Sequence, residues 1–383
     1  MSNDHHRQSV LQVSPKDNLL VALRDLSEGE KVEWEKGVLT VTEKIPAKHK
    51  LATCDLSAGD PSFMYGVLVG EAIEPISRGQ RVNTRNLVHR SADYQQAGAA
   101  QAWTPPPVER WKDKTFLGFH RKDGSVGTAN HWLVLPMVFC ENGNIETLKN
   151  SMLEALGFER RNQYQRFAKE LAAVYTDGLD PESVSLPAEQ EHTPSPIFPN
   201  VDGVKFLSHG LGCGETRGIS EELCGLLAGY ACNPNVGGIT ILSLGCQHAQ
   251  VSIMEREIAQ RCPGFDKPLL VFEQQKYASE REMLEQAIRQ TFAGLAKINQ
   301  LERSPAPLSK LCLGMECGAS DGFSGISANP TMGRVADLTV GLDGRVILSE
   351  FPELCGVEQE IVNRCATKET GDRFIEIMRN YEA

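Results

Sequence analysis

Short apolar runs separated by turn signals fill the first part of the chain. They occupy residues 19–23, 38–41, 50–55, 67–72 and 81–83, and the breaks between them carry Ser27-Glu28-Gly29, Pro46, Ala58-Gly59-Asp60 and Ser77-Arg78-Gly79. Strand-length runs at this spacing predict a compact β fold of short strands. The pattern then dissolves. Gln95-Gln96-Ala97-Gly98-Ala99-Ala100 and Pro105-Pro106-Pro107 have no apolar period and read as an extended, semi-rigid connection. Residues 1–92 are therefore expected to form a small β domain, and residues 93–114 a linker.

From Phe116 onward, apolar runs alternate with helical stretches. Residues 132–139 lead into Cys140, and Pro136 inside that run predicts an edge strand or a bulge. A helical stretch over 145–156 follows, then an acidic, proline-containing surface excursion over 180–199. Residues 204–208 lead through His209-Gly210-Leu211-Gly212 to Cys213, with a helix over 221–230. Residues 239–243 lead through Leu244-Gly245 to Cys246, with a helix over 250–261. A short run at 268–273 precedes a long helix over 280–298. Residues 310–313 lead to Cys317, and residues 346–349 end at Glu350. Such alternation predicts a parallel sheet with helices on its faces, so residues 115–383 are expected to be an α/β domain with a mainly parallel sheet. The strand C-termini of such a sheet share one edge, where ligands bind. Cys140, Cys213, Cys246 and Cys317 are thus expected to line that edge together.

The run ending near Leu313 opens the most unusual composition in the chain. Between Gly314 and Pro330, four glycines are interleaved with Glu316, Cys317, Ser320, Asp321, Ser324, Ser327 and Asn329. Glycine permits sharp bends and close approach to a ligand. Small polar groups at such bends can face an anion or a metal. An ordinary Gly/Ser/Asn turn has the same composition.

Composition narrows the partners more than the fold. Of the 383 residues, 41% are hydrophobic and 23% charged, as in ordinary globular proteins. A net charge of −11 argues against nucleic acid or an anionic membrane as the main partner, since both call for a basic face. An anionic ligand would have to be met locally by arginine, lysine, helix N-termini or a metal. Residues 1–10 lack the apolar core of a signal peptide, and no run approaches the roughly 20 apolar residues of a membrane span. Eleven cysteines without a secretory signal predict reduced thiols in the cytoplasm, serving metal binding or catalysis ahead of a disulfide framework. Neither a Gly-x-Gly-x-x-Gly fingerprint nor a Walker-type loop is present.

Thiols gathered at strand ends suit a soft or borderline metal, or an iron–sulfur centre. Thiols also serve as small packing groups. Cys54, Cys224, Cys232, Cys262, Cys312, Cys355 and Cys365 lack strand-end positions and are expected to pack. His209 and His248 flank two of the edge cysteines and are candidate ligands or bases, with a structural role equally open. Glu350 and Glu353 are acids at the same expected edge, suited to a general base or to a cap. His49 stands in a basic turn, Pro46-Ala47-Lys48-His49-Lys50.

The stretch from Gly314 to Pro330 resembles the altronate/galactarate dehydratase family. So do Asp123-Gly124-Ser125-Val126-Gly127-Thr128, residues 209–214, Leu244-Gly245-Cys246 and residues 348–353. The first 90 residues are similar to the family's SAF domain, a β-clip fold, with Lys48-His49-Lys50 and Tyr65-Gly66 at its His and Tyr-Gly features. The residues around 206–216 and 242–251 look nearest the altronate branch. The resemblance implies a hydro-lyase, dependent on Fe2+ as a single ion or a cluster. It would remove water from D-altronate to give 2-dehydro-3-deoxy-D-gluconate in hexuronate catabolism. It implies proton transfer by His49, His209 or Glu350, and substrate contacts from Tyr65, Asn130, Ser320, Asp321, Ser324 and Asn329. Cys140, Cys213, Cys246 and Cys317 are its implied metal ligands. The partner would be a small sugar acid, with a homo-oligomer left open. Galactarate dehydration, sulfolactate lysis and a catalytically silent sugar-acid or metal-binding module are the alternatives. Two departures stand out. Ala129 precedes Asn130 where the family carries Arg or Lys, and the family's Pro-Ser-Pro-Gly-Asn-Lys segment does not occur. The family's C-terminal part is therefore expected to be missing.

Overall fold

The computed structural model describes residues 8–94, 103–159, 163–188, 195–318 and 321–382. Residues 95–102 of the expected linker and 189–194 of the expected acidic excursion lie outside the described residues. The chain divides into two compact units. One is Asp113–Lys310; the other joins Met1–Lys112 with Leu311–Ala383.

The N-terminal part of the discontinuous unit is built from short antiparallel strands. Val10–Leu11, Leu19–Ala22, Lys50–Ala52 and Arg81–Val82 form a four-stranded sheet in that order. Lys31–Trp34 pairs with Gly37–Thr40, and Val67–Ala72 lies between Pro61–Met64 and Leu87–His89. Side chains alternate along each strand, and Leu19–Ala22 uses both faces. Leu20 and Ala22 join one core with Leu26, Leu39 and Ile45, while Leu19 and Val21 join another with Leu56, Met64 and Ile76. The turn signals recur as one device. The backbone N–H of Ser27 donates to the Glu30 carboxylate, that of Ser57 to Asp60, and that of Ser77 to the Gln80 amide oxygen. Strands 31–34, 61–64 and 87–89 escaped the apolar count because charged or polar residues dilute their runs; in Lys31–Trp34 only Val32 is buried.

In Asp113–Lys310, strands β1 (His131–Pro136), β2 (Gly203–Phe206), β3 (Val236–Ser243) and β4 (Leu269–Glu273) form a parallel sheet in the order β2-β1-β3-β4. Helices α1 (Asn142–Met152), α2 (Arg217–Cys232), α3 (Val251–Arg261) and α4 (Glu280–Ile298) cover its two faces. Trp132 and Val134 pack with Ile145 and Leu148 of α1 and Met283 and Leu295 of α4. Leu133 and Leu135 pack with Leu223 and Leu227 of α2 and Met254 and Ile258 of α3. Period-two alternation in one strand thus supplies both helix layers. Val126–Gly127, Thr115–His120 and Ser304–Pro307 add a three-stranded antiparallel sheet to this unit.

Two expectations about this region are corrected. Pro136 marks neither an edge nor a bulge: β1 is an inner strand, and Pro136 is its last residue, where a missing N–H costs the ladder least. The strands expected at 310–313 and 346–349 do not extend the large sheet. They are β5 (Cys312–Met315) and β6 (Arg345–Leu348), which pair in parallel with each other, belong to the discontinuous unit, and are connected through helix α5 (Ala328–Gly341). The four-cysteine edge is therefore three strand-end cysteines on one sheet and Cys317 on another.

Candidate active site

The discontinuous unit brings the basic turn, Tyr65 and the glycine-rich loop together. Lys48 and Tyr65 both hold left-handed backbone, at φ 73° and 58°, which side-chain-bearing residues seldom adopt. Buried Asp17 pins the Tyr65 turn: its carboxylate accepts from the N–H groups of Ser14 at 2.8 Å, Tyr65 at 3.1 Å and Gly66 at 2.8 Å. Burial pushes the Tyr65 phenol up, and the Asp17 charge adds to it. From the other side, Asp321 receives the Lys48 ammonium at 2.7 Å and the Phe323 N–H at 2.7 Å. Those two hydrogen bonds, Lys48 first, hold its carboxyl below the usual range.

Contact between the loop and the turn depends on missing side chains. A Cβ at Gly325 would lie 2.5 Å from the Tyr65 hydroxyl, and one at Gly322 would lie 2.9 Å from Lys48 Cβ. Ser324 opens a short 3-10 turn, Ser324–Ile326, and its N–H donates to the Asp321 carbonyl. Ile326 packs onto the core that holds Leu19, Val21 and Met64. Beside this junction is a cavity of about 680 Å3, lined by Lys48, His49, Lys50, Tyr65, Asn83, Thr84, His89 and Gly322 among others, with no Asp or Glu among its lining residues. Ser320 lies outside the described residues.

A second group forms where β5 and β6 end. The Cys317 N–H donates to Glu350 Oε2 at 3.1 Å, and the Asn329 amide donates to Cys317 Sγ at 3.6 Å. Glu350 is itself left-handed, at φ 59°. Parallel pairing of β5 with β6 brings residues 317 and 350 side by side, and the start of α5 delivers Asn329. Cys317, Asn329, Glu350 and Glu353 line a cavity of about 220 Å3 with Met315 and Met332.

The sheet of the other unit places Cys140 after β1, Cys213 after β2 and Cys246 after β3; Cys140 and Cys246 are exposed and Cys213 is partly exposed. Its strand order reverses between β1 and β3, the position at which open parallel sheets form a crevice. The loops there are knit by backbone. The Phe139 N–H donates to Leu211 O, and those of His248 and Ala249 donate to Gly212 O. Glu215, which the sequence reading passed over, accepts from the Gly212 and Cys213 N–H groups and from the Ser220 hydroxyl. Its only signal was an acid directly after the Gly212-Cys213-Gly214 bend.

Two expected site residues have structural partners instead. His209 Nε2 donates to the Pro136 carbonyl at 2.8 Å, while its Nδ1 accepts the Leu211 N–H at 3.3 Å, so both ring nitrogens are engaged by backbone. Asn130 is fully buried; its amide donates to Asn200 O and Ile298 O, and its Oδ1 accepts from Arg121. Arg121 also donates to Ala129 O at 3.4 Å and to Pro234 O at 2.9 Å. A guanidinium therefore stands at the motif that lacks a basic residue at position 129.

The donor set does not fit an iron site. Among the described residues, no group of three or more His, Cys, Asp or Glu side chains is placed to hold a metal ion. Cys317 and Glu350 meet through the Cys317 backbone, and His209 has no free ring nitrogen to offer. Another overlooked group lies in the short 3-10 turn, Phe139–Glu141, between β1 and α1. Glu141 is fully buried, its Oε2 takes the Asn144 amide at 2.8 Å, and its Oε1 has no hydrogen-bond partner among the described residues. Burial pushes its carboxyl up, with the charge of Glu280 adding to that.

Three family models match in tandem. The altronate/galactarate dehydratase SAF domain matches residues 8–90, the second domain of D-galactarate dehydratase/altronate hydrolase residues 118–299, and the C-terminal D-galactarate/altronate dehydratase model residues 308–383. The altronate dehydratase of Bacillus subtilis is 27% identical over 382 residues, 98% of this chain and 66% of the relative. That of Escherichia coli is 26% identical over 379 residues, 97% of this chain and 66% of the relative. The galactarate dehydratase (L-threo-forming) of Escherichia coli is 26% identical over 375 residues, 97% of this chain and 65% of the relative. The chain thus spans just under two thirds of the length of these relatives. With a SAF domain at the N-terminus, an α/β region with a parallel sheet behind it, and all three models in register, the chain belongs to the altronate/galactarate dehydratase family.

Proposed function

We propose that the chain acts as a hydro-lyase on a sugar acid, removing water from D-altronate to give 2-dehydro-3-deoxy-D-gluconate. The observation that carries this reading is the basic recess. In a chain of net charge −11, Lys48, His49, Lys50 and His89 line one cavity with no Asp or Glu among its lining residues, and Asp321 pairs with Lys48 from beside it. A volume of about 680 Å3 accommodates a small carboxylate ligand with its hydration.

In this reading, Lys48 and Lys50 bind the substrate carboxylate and draw charge from the adjacent C2 position. His49 takes the C2 proton. Tyr65, whose phenol is pushed up by burial and by Asp17, keeps its proton at neutral pH and gives it to the departing C3 hydroxyl. Asp321 orients Lys48, and Ser324 lies on the same loop to hold a substrate hydroxyl. No step is routed through the iron that the resemblance implies, since the described donors do not gather to hold it. The reading includes a cytoplasmic setting and a place in hexuronate breakdown.

Galactarate is the second reading, favoured by the galactarate dehydratase relative that covers 97% of this chain. The test is anaerobic purification, followed by measurement of 2-keto-3-deoxy acid from altronate and from galactarate, with and without ferrous iron. Product from altronate that vanishes in His49→Gln supports the proposal. Product from galactarate alone moves the assignment to the second reading, and none from either acid with a folded protein overturns both.

A further inference from the structure

A cavity of about 300 Å3 lies within Asp113–Lys310, where the parallel sheet begins. Part of its lining is apolar: Leu133 of β1, Leu207 just past β2 and Val236 at the start of β3 belong to the core under α2. The β1–β2 register sets Lys205 beside Leu133, on an edge strand of that sheet, and Lys205 is exposed. The rest of the wall comes from His131, from Tyr230 in the last turn of α2, and from Asn233 and Asn235 in the turn that follows.

That turn has its acceptors occupied. The Tyr230 carbonyl accepts the Asn233 N–H at 3.1 Å, and the Asn235 carbonyl accepts the His131 N–H at 2.7 Å. The Lys267 ammonium donates to Ala231 O at 2.9 Å and to Asn233 O at 2.6 Å, and Arg121 donates to Pro234 O at 2.9 Å. The side-chain oxygens are taken as well. Asn233 Oδ1 accepts the Asn235 N–H at 2.9 Å, and Asn235 Oδ1 accepts the N–H groups of Thr128 at 2.7 Å and Ala129 at 3.2 Å. Backbone donors fix which amide atom is the oxygen, so both side chains have their NH2 groups left to offer. The lining carries the Lys205 ammonium and no carboxylate. Asp202, an acid whose charge reaches His131, is held by Arg303 at 2.6 Å and by the Asn130 N–H at 2.7 Å. His131 Nδ1 is buried without a hydrogen-bond partner among the described residues.

We propose that this cavity is a second ligand site, for a small organic carboxylate held by Lys205 and the Asn233 and Asn235 amides, with its carbon chain on Leu133, Leu207 and Val236. An ammonium and N–H donors meeting one carboxylate form charge-assisted hydrogen bonds, the stronger class. A helix C-terminus ordinarily repels an anion, because its last carbonyls carry partial negative charge. Here the Asn233 N–H and Lys267 occupy the carbonyls of Tyr230 and Ala231. Burial lowers Lys267 to about 8, so it remains charged at pH 7. The apolar lining favours a carboxylate with a carbon chain over inorganic phosphate, which has no apolar part. A volume of about 300 Å3 is at the small end for ligand cavities and suits a chain of a few carbons. Lys48 and its recess belong to the other unit, so this site stands apart from the proposed reaction.

The test is calorimetric titration of the full chain with butyrate, with inorganic phosphate, and with butanol, which has the carbon chain without the charge. Butyrate is expected to bind, and phosphate and butanol to bind far more weakly. Lys205→Met should weaken butyrate binding about tenfold, the loss of one charge-assisted contact. Asn235→Asp should weaken it at least as much, since it keeps an acceptor for the Thr128 and Ala129 N–H groups but adds a carboxylate to the wall. Lys48→Met should leave the Lys205-dependent binding in place. Melting midpoints identify any variant that fails to fold, and the two substitutions act on separate segments of the wall. The proposal is overturned by an absence of butyrate binding, by binding that persists in both Lys205→Met and Asn235→Asp or falls only in Lys48→Met, and by phosphate binding as tightly as butyrate.

Discussion

Lys48 Nζ lies 2.7 Å from Asp321 Oδ2, a bond between residues 273 positions apart in the chain. Both side chains are about two-fifths exposed, at 42% and 43%, so solvent screens the pair and its share of stability is small. In the proposed reaction its use is to orient Lys48. Lys48→Met and Asp321→Asn are each expected to raise KM for the sugar acid while leaving the unfolding midpoint unchanged. The double variant should be no worse than Lys48→Met alone, because once the ammonium is gone Asp321 has nothing left to orient. The sign with pH follows from the depressed carboxyl: the pair is intact at neutral pH and is lost only as pH falls through a value below the ordinary 3.8.

The two histidines should separate cleanly. His49→Gln is expected to lower kcat by about 10²–10⁴-fold, the usual contribution of a proton-transfer group, without changing stability. His209→Ala should do the reverse. It leaves the Pro136 carbonyl and the Leu211 N–H without their partner, at a cost of about 1–3 kcal/mol by denaturant unfolding. An unchanged unfolding midpoint in His209→Ala, with activity lost, would return it to the role of base.

Glu141 supplies a pH signature. Its carboxyl is raised in the folded state, so its stabilising contribution is full below the ordinary 4.5 and is lost as pH rises through the higher folded value. Glu141→Gln should flatten that decline. Urea midpoints for both proteins across pH 4 to 8 check it, and parallel curves would contradict the assignment.

Trp132 tests the packing. Its indole N–H donates to Thr240 Oγ1 at 2.9 Å, which in turn meets Thr291 Oγ1 at 2.7 Å, all buried. A Cβ on Gly294 would fall 2.1 Å from the indole Cη2, and one on Gly238 2.2 Å from Cζ3. Gly294→Ala is expected to destabilise the protein by about 1–3 kcal/mol through overpacking, despite the better helix propensity of alanine.

Much of this architecture was visible in local pattern. The alternation of Trp132, Leu133, Val134 and Leu135 announces a strand covered on both faces, and the structure shows helices on both. Partnerships over long separations were not visible. The strand near Leu313 has the same local appearance as β1 or β3, and its pairing with β6 in a separate sheet is decided by tertiary context. Lys48 was quoted only as part of a basic turn, since its partner lies beyond an entire α/β unit. His209 and Asn130 show the opposite failure. Both are polar residues at motif positions, and only a full account of hydrogen bonds reveals that backbone or buried groups already occupy them.

The discontinuous unit has a consequence for how the molecule is made. Its two stretches, Met1–Lys112 and Leu311–Ala383, are separated in the chain by all of Asp113–Lys310. During synthesis the basic turn and Tyr65 emerge from the ribosome long before Asp321 and Gly325, so the recess at Lys48 stands without its loop while the intervening unit is translated. Contacts of such sequence separation form late and slowly. Ligand binding at this recess should therefore mature last, after the parallel sheet has folded, and a refolding experiment should show sheet formation ahead of the return of sugar-acid binding.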